Sequence, residues 1–270
     1  MAPVVHCVRH GQGLHNVQGN YSLSDPRLTT FGKEQCEALR RESFPDQSNI
    51  SAVVASPLCR ALETAFLTFQ PALTSGKCVS EIVALPDAQE TSDDACDVGS
   101  DVPLLKNTIE ANNWPVNTSL AQDGWNVKSH DSRYSPDSAA IEARARSARL
   151  FLRDLARRLV QDGIKDPQIV LVTHGTFLHY FTQDWEDSHR NPGTGWQNCE
   201  TRSYVFQDDI LQNDDEEGRL QETKESRSKR GLDHPMYAKS EQTALYHLAM
   251  RSWEAQGLQN PHTVLPLTIN

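Results

Sequence analysis

Two histidine–glycine pairs each follow an apolar segment of this chain. Residues 9–11 read Arg-His-Gly after an apolar run at 4–8, and residues 174–175 read His-Gly after a second run at 169–172. Short apolar runs bounded by glycine are typical of buried strands. In an open α/β sheet, the carboxyl ends of the strands form the edge where ligands bind. The spacing therefore predicts two imidazoles and a guanidinium at one ligand-binding edge.

These residue types suit chemistry on a phosphate ester, which carries a charge of about −1.5 to −2 near neutral pH. Arg9 offers a planar fork for bidentate phosphate binding, and Gly11 and Gly13 let the backbone come close to a ligand. A neutral nitrogen of His10 can attack phosphorus and form a covalent intermediate. A protonated His174 could stabilise charge on the transferred oxygens. The sequence therefore predicts phosphoryl transfer through a histidine.

Arg60 and a nearby carboxylic acid would complete such a site. The pair at 56–57, Ser-Pro, has the pattern of a helix start, which places Arg60 on the first turns of a helix that follows a strand at 52–55. A leaving alkoxide also needs a proton, and a carboxylic acid is the expected donor. The irregular segment at 86–135 supplies the candidates Asp87, Glu90, Asp93 and Asp94.

Alternating strand and helix signals predict the fold class. Strands are predicted at 4–8, 52–55, 79–83, 168–173 and 202–206. Helices are predicted from Thr30, from Ser56, at 104–109, from Ser135 to Gly163, over 176–183 and from Ser240 to Gly257. This alternation predicts an α/β fold, a three-layer α/β/α sandwich around a mostly parallel sheet.

No break in composition marks a second domain, so the sequence predicts a single domain over 1–270. Within it, the irregular residues 86–135 are expected to form a cap or insertion. An acidic run followed by a basic run predicts that 208–270 is an exposed, solvated excursion followed by a helix. Six arginines of the helix at 135–163 fall mostly off its apolar stripe and are predicted to lie on a solvated face: Arg144, Arg146, Arg149, Arg153, Arg157 and Arg158.

The composition argues against several classes of partner. The net charge of −10 disfavours a nucleic-acid or anionic-membrane surface. No apolar run approaches the ~18 residues of a spanning helix, and no secretion signal is expected at the N-terminus. Six cysteines without C-x-x-C spacing are expected to be reduced thiols: Cys7, Cys36, Cys59, Cys78, Cys96 and Cys199. A cytoplasmic location is therefore expected.

Four segments of the chain resemble the signature of the histidine phosphatase superfamily, also called the phosphoglycerate mutase-like family. They are residues 9–11 with Asn16, 28–32, 56–61 with 64–65, and 173–175, in the order of the family. The stretch at 196–204 is similar to a fungal-type branch of the superfamily. The resemblance implies a mostly parallel α/β/α sandwich and a reaction that uses no metal and no cofactor.

The resemblance also implies roles for individual residues. It implies that His10 is the nucleophile that becomes phosphohistidine and that His174 takes part in catalysis. It implies that Glu90 donates the proton, and Asp87, two residues after Leu85, competes for that role. The phosphate ligands that it implies are Arg9, Asn16, Arg60, His174 and Gly175.

The sequence departs from the family pattern at two places: the first removes a possible hydroxyl contact, and the second favours hydrolysis over phosphoryl transfer. Gly13 stands where many members have serine or threonine, and the Glu-Arg-His-Tyr run of phosphoglycerate mutases is absent after Glu90. The sequence therefore predicts a metal-independent phosphomonoester hydrolase acting on a small phosphorylated metabolite, and it leaves the oligomeric state open. Two alternatives remain: a mutase-like transferase, and a binding or biosynthetic protein that reuses the phosphate pocket. A metal site on His6, His10 and His15 is disfavoured because Gly11 interrupts the strand.

Overall fold

Seven strands form one sheet in the computed structural model of the chain, which describes residues 2–75, 79–190, 192–212 and 215–263. They are β1 (Val4–Arg9), β2 (Ile50–Ala55), β3 (Ile82–Ala84), β4 (Val116–Asn117), β5 (Gln168–Thr173), β6 (Thr201–Phe206) and β7 (Leu220–Glu222). Their order across the sheet is β4-β3-β2-β5-β1-β6-β7. The strands from β4 to β1 pair in parallel, and β6 is antiparallel to both of its neighbours.

Seven α-helices occur in these described ranges. They are α1 (Thr30–Glu42), α2 (Cys59–Ser75), α3 (Val102–Ala111), α4 (Ser138–Gln161), α5 (Gly175–Thr182), α6 (Lys224–Lys229) and α7 (Lys239–Ala255). Short 3-10 turns lie at Leu14–Asn16, Pro86–Ala88 and Ala95–Asp97. None of the described helices is long and apolar enough to cross a membrane.

Different helices cover the two faces of the sheet, because successive side chains of a strand point to opposite faces. Ile169 and Leu171 of β5 pack with residues of α4, α5 and α7. Val170 and Val172 of the same strand pack with residues of α1, α2 and α3. Burial on both faces explains why the central strands read as continuous apolar runs. The predicted three-layer α/β/α sandwich is confirmed.

The carboxyl ends of β2, β5 and β1 lie side by side at one edge of the sheet. Main-chain hydrogen bonds continue the ladders past the strand ends, from His10 N to Thr173 O at 2.9 Å and from Ser56 N to Val172 O at 2.9 Å. His174 follows β5 directly, between these two positions. The topology therefore brings three polar side chains that are far apart in sequence to one place.

Several predicted helix starts are displaced by one to three residues. Thr29, rather than Thr30, caps α1 by accepting a hydrogen bond from the amide three residues ahead. α2 begins at Cys59 rather than at Ser56, because the Ser56 amide still extends the sheet ladder. Ser240 lies inside α7, which begins one residue earlier.

The predicted solvated face of α4 is wrong for three of its arginines. Arg144, Arg149 and Arg153 are only 1%, 2% and 4% exposed. Arg144 donates to main-chain carbonyl oxygens of the 87–90 segment, and Arg149 donates to carbonyl oxygens at the end of α5. A long side chain can be buried when its charged end finds hydrogen-bond acceptors. These arginines are therefore buried although they lie off the apolar stripe of α4.

The predicted solvated excursion after 208 is also wrong at residues 220–230, where β7 is followed by α6 in the basic run 224–230. The buried Arg227 lies 3.0 Å from Glu186 and 3.2 Å from Glu222, and Arg230 lies 2.6 Å from Glu222. These ion pairs fasten α6 to β7 and to the loop after α5. Asp214, at the start of the predicted acidic run, lies outside the described residues.

We expect Arg227→Met to lower the free energy of unfolding by about 3 kcal/mol, because it removes one partner from a buried carboxylate. Urea denaturation monitored by circular dichroism measures the change. The matched control is Arg146→Met, which removes a half-exposed ion pair with Glu217 and should cost at most about 1 kcal/mol. Equal midpoints for the two variants would contradict the structural role of Arg227.

Candidate active site

The His10 imidazole lies directly after β1 and is buried. Its Nδ1 donates to the Gly11 carbonyl oxygen at 2.7 Å, and its Nε2 accepts from Arg60 Nε at 3.2 Å. A carbonyl only accepts and a guanidinium only donates, so the proton sits on Nδ1 and the lone pair on Nε2. The contacts therefore hold His10 as one neutral tautomer whose Nε2 can act as a nucleophile.

Two side chains hold the backbone of the loop at His10 and Gly11. The Gly11 amide donates to Thr64 Oγ1 at 3.0 Å, and Asn198 Nδ2 donates to the His10 carbonyl oxygen at 3.0 Å. The Asn198 contact comes from the loop that leads into β6. These contacts fix the backbone that carries the nucleophile.

Gly13 leaves room for a second imidazole in this loop. A Cβ atom at position 13 would lie 2.7 Å from the ring of His15, so a side chain there would force that ring to shift. Asn16 uses both polar atoms of its side chain locally: Oδ1 accepts from the Gly13 amide at 3.0 Å, and Nδ2 donates to His15 Nε2 at 3.1 Å. The His15 ring centroid lies 5.7 Å from that of His10. Asn16 therefore shapes the loop beside the nucleophile.

His174 follows β5 and faces His10, with 5.1 Å between the ring centroids. Its Nε2 lies 2.8 Å from Ser56 Oγ. Its Nδ1 is buried and has no hydrogen-bond partner among the described residues. The two predicted imidazoles thus lie side by side, and the Nδ1 atom of His174 can form a hydrogen bond with a ligand.

Arg60 reaches the site from the first turn of α2 and is almost fully buried. While its Nε points at His10, Nη1 donates to the Cys96 carbonyl oxygen at 2.6 Å and Nη2 to Asp97 Oδ1 at 2.7 Å. Ser92 Oγ donates to the other oxygen of Asp97 at 2.7 Å. Asp97 therefore orients the guanidinium and balances part of its charge.

Arg9 lies against the start of α5 because position 175 is glycine. A Cβ at Gly175 would overlap Thr194 Oγ1 and lie 3.3 Å from Arg9 Nε. Nη1 of Arg9 donates to the Trp196 carbonyl oxygen, and the Arg202 guanidinium stacks on the Trp196 ring at 3.8 Å. A larger residue at position 175 would therefore displace the Thr194 hydroxyl and press on Arg9.

The structure separates Glu90 from its competitor Asp87. Glu90 accepts hydrogen bonds from the first-turn amides of α5, from Phe177 N at 3.0 Å and Thr176 N at 3.3 Å, next to His174. Asp87 forms a bidentate pair with Arg133 at 2.8 and 2.7 Å. The carboxylate of Glu90, rather than that of Asp87, therefore lies at the first turn of the helix that follows His174.

Burial and the arginines decide the charge states of these groups. Burial, and then the Arg60 guanidinium, hold the pKa of His10 and of His174 well below the usual range. The same causes lower the pKa of His15 to about 3. Burial, and then the neighbouring Asp97, raise the pKa of Glu90. All three histidines are therefore neutral at neutral pH, and the carboxyl of Glu90 binds a proton more readily than an exposed one.

Comparison with known families agrees with this geometry. Residues 5–81 match the model of the histidine phosphatase superfamily (branch 1). Over these residues the chain is similar to the histidine phosphatase superfamily. The family resemblance predicted from the sequence is thereby confirmed.

Individual relatives match different lengths of the chain. "Probable phosphatase" of Schizosaccharomyces pombe is 33% identical over 98 residues, 36% of this chain and 44% of the relative, so the match spans less than half of that relative. A phosphoglycerate mutase-like protein of Arabidopsis thaliana is 25% identical over 243 residues, 76% of this chain and 84% of the relative. Among solved structures, ecdysone phosphate phosphatase from Bombix mori is similar with a TM-score of 0.50 at 14% identity, covering 75% of this chain and 88% of that chain.

Two buried cations hold the backbone on which Glu90 sits. Lys128 Nζ donates to the Glu90 carbonyl oxygen at 2.5 Å, and Arg144 donates to the same oxygen at 3.0 Å and to Gln89 O at 2.6 Å. Lys128 is 7% exposed, and burial together with the charge of Arg144 lowers its pKa to about 7. Lys128 therefore adds a titratable cation to the site.

Sequence reasoning missed Asp97 and Lys128 as partners within the site. Both come from the irregular 86–135 segment, in which neither has a periodic pattern or a neighbouring motif to mark it. Their charge alone does not mark them as site residues, since an acidic or basic residue in a polar loop is usually solvated. The His6 ring bonds to Ser203 and Gln168, and within the described ranges no group of three His, Cys, Asp or Glu side chains could hold a metal ion.

We expect the free energy of unfolding to fall as the pH is lowered from about 7.5 to about 5.5. Because the folded pKa of His10 and His174 lies below the unfolded value of about 6.5, the unfolded state binds more protons in this window. The contribution of the neutral histidines to the free energy of unfolding is complete above the pKa of the unfolded state. It is lost as the pH falls toward the pKa of the folded state, by up to about 1.4 kcal/mol per pH unit for each histidine. Urea denaturation across this range measures the slope.

His174→Asn is the control for this pH dependence, because asparagine does not titrate and should flatten the slope. Histidine ring resonances followed by NMR provide a second readout. If the rings of His10 and His174 became protonated near pH ~6.5, like free imidazoles, the expected charge states would be wrong.

Proposed function

We propose that this chain is a metal-independent phosphomonoester hydrolase that works through a phosphohistidine on His10. The observation that carries the proposal is the neutral tautomer of His10, with its Nε2 lone pair beside Arg60 and facing His174. A buried neutral nucleophile within a cationic pocket suits attack on a dianionic phosphoryl group.

In the first step, His10 Nε2 attacks phosphorus as the bond from phosphorus to the ester oxygen breaks. The hydrogen bond from Nδ1 to the Gly11 carbonyl keeps the lone pair on Nε2 and stabilises the positive charge that the ring acquires. Arg60 Nε, which now donates to Nε2, would transfer its hydrogen bond to a phosphoryl oxygen.

Arg9 and His174 supply two further contacts for the phosphoryl oxygens. Arg9 Nε and His174 Nδ1 are both buried and have no hydrogen-bond partner among the described residues, and buried polar groups are rarely left unsatisfied. With Ser56 donating to Nε2, Nδ1 of a neutral His174 carries a proton and donates it. His174 therefore needs no positive charge to bind phosphate, and a bound dianion would raise its pKa. We assign the Gly175 backbone to the same set of phosphate contacts. Asn16 belongs to the loop that lies beside these contacts.

Glu90 is the proton donor in this proposal. Its raised pKa, due to burial and Asp97, favours the protonated acid that must transfer its proton to the leaving oxygen. The resulting carboxylate then takes a proton from the water that attacks phosphohistidine. That attack releases inorganic phosphate and returns His10 to its neutral form.

We further propose that residues 86–135 form the substrate-facing cap. Glu90, Asp97 and Lys128 all come from this segment and lie beside the imidazoles or Arg60. Their mixed charges fit a small phosphorylated metabolite better than a nucleic acid, in line with the net charge of the chain. The cytoplasmic location stays a prediction.

We expect His10→Ala to lower the hydrolysis of p-nitrophenyl phosphate by at least about 10³-fold, because the nucleophile is lost. The wild-type rate should persist in EDTA, and acid-labile phosphate should be trapped on His10 after rapid quenching. The His10→Ala protein should bind vanadate yet carry no covalent phosphate. Loss of the wild-type rate on chelation, or trapped phosphate at another residue, would contradict the mechanism.

The same assay distinguishes the two alternative functions. Transfer of phosphate to an added alcohol or phosphoglycerate faster than to water would indicate a mutase-like transferase. Vanadate binding without turnover across a broad panel of phosphate esters would indicate a binding protein.

We expect Glu90→Gln to lower kcat by about 10²–10⁴-fold for alkyl phosphates, because their leaving oxygen needs a proton. The loss should be much smaller for p-nitrophenyl phosphate, whose phenolate leaves without protonation. Asp87→Asn is the matched control, since Asp87 pairs with Arg133, and its kcat should change less than about threefold. The reverse pattern, with Asp87→Asn the damaging change for alkyl phosphates, would assign the proton to Asp87.

A further inference from the structure

Two thiols lie in contact behind the loop that carries His10. Cys36 Sγ of α1 and Cys199 Sγ of the segment before β6 are 3.8 Å apart, although 163 residues separate them in sequence. The five described cysteines are free thiols, and Cys78 lies outside the described residues. Cys36 is fully buried, whereas Cys199 is partly exposed, so the pair has one side toward solvent.

The thiol pair is in direct contact with the nucleophile loop. A Cβ at Gly11 would lie 3.2 Å from the sulfur of Cys36 and 3.3 Å from that of Cys199, so the glycine backbone rests on both. The Cys199 amide donates to Arg9 O at 3.1 Å and to His10 O at 3.3 Å. A displacement of Cys199 would therefore be transmitted to the backbone of Arg9 and His10.

Cys199 also has a backbone conformation that can change. Its φ of 58° lies in the left-handed region, which a residue with a side chain rarely adopts. Such a conformation persists where surrounding contacts hold it, here the hydrogen bonds to the two carbonyl oxygens. A new covalent bond at the sulfur would compete with those contacts.

The electrostatics of the pair support reactivity. The hydrogen bond that the Cys199 thiol donates lowers the pKa of Cys36. The same hydrogen bond raises the pKa of Cys199. One thiolate stabilised by a neighbouring S–H is the nucleophilic form that reacts with an oxidant.

We propose that Cys36 and Cys199 form a reversible disulfide on exposure to a peroxide, and that this bond displaces the loop carrying His10. A thiolate of the pair attacks one peroxide oxygen, the O–O bond breaks, and the departing hydroxide takes the thiol proton and becomes water. The second sulfur attacks the resulting sulfenic acid, the S–O bond breaks, and a second water leaves with the proton of that thiol. Two thiols are oxidised by two electrons in all, and one hydrogen peroxide is reduced to two waters.

The bond requires movement at the nucleophile loop. A disulfide joins its sulfurs at about 2.05 Å, so the two sulfurs must approach by about 1.8 Å. Since the backbone of Gly11 rests on both sulfurs, and Cys199 holds the carbonyls of Arg9 and His10, the approach changes the position of Nε2. Oxidation should therefore lower the hydrolytic rate in a way that a thiol reductant reverses.

The experiment treats the full-length protein with hydrogen peroxide, blocks remaining thiols with an alkylating reagent, and maps non-reduced tryptic peptides by mass spectrometry. The expected product links the peptides 34–40 and 191–202, and dithiothreitol removes the link. Because the readout is a covalent bond, it holds whether or not the proposed phosphatase function is correct. The hydrolytic rate of the oxidised protein, expected to fall at least about fivefold and to recover on reduction, depends on that function.

Cys36→Ser and Cys199→Ser should each abolish the linked peptide and resist inactivation by peroxide. The matched control is Cys59→Ser, whose side chain donates to Asp25 away from the pair, and which should stay as sensitive as the wild type. Absence of the linked peptide at peroxide concentrations that inactivate the wild type would overturn the proposal. So would a Cys36→Ser variant that loses activity to peroxide as fast as the wild type.

Discussion

A neutral imidazole surrounded by fixed positive charge is the constraint on which the site depends. His10 is held between the Gly11 carbonyl, which takes the Nδ1 proton, and Arg60, which points at Nε2. An imidazolium in this position would face Arg9 and Arg60 in surroundings of low dielectric, where like charges repel strongly. The guanidinium groups do not titrate near neutral pH. Positive charge is therefore permanent around the nucleophile while the nucleophile itself stays uncharged.

This concentration of positive charge is only partly balanced by carboxylates. Asp97 neutralises one end of Arg60, but Lys128 and Arg144 donate to main-chain carbonyl oxygens. A carbonyl satisfies a donor without cancelling its charge. Part of the positive field therefore persists at the edge of the sheet, although the whole chain carries a net charge of −10. The same bonds fix the 87–90 backbone, so one set of cations both attracts an anion and holds Glu90 in position.

The features that could be predicted are those that local sequence specifies. Apolar runs ending in His-Gly gave the strand ends, and the pairing of β1 with β5 then fixes the distance between His10 and His174. Asp97 and Lys128 could not be placed, because their positions depend on long-range packing of a segment without periodicity. β7 and α6 were missed because three and six residues are too few for a periodic signal. The buried arginines of α4 were misplaced because their acceptors are backbone oxygens, which no sequence pattern marks.

The effect of glycine at position 13 depends on what fills the space that a side chain would take. From sequence, glycine in place of serine or threonine removes a hydroxyl contact. In the structure, the ring of His15 occupies the volume that a side chain at position 13 would fill. Because Asn16 donates to Nε2 of His15, the ring proton lies on Nδ1, which is buried and has no hydrogen-bond partner among the described residues. Glycine at position 13 therefore leaves the space in which the His15 ring places an imidazole N–H near His10.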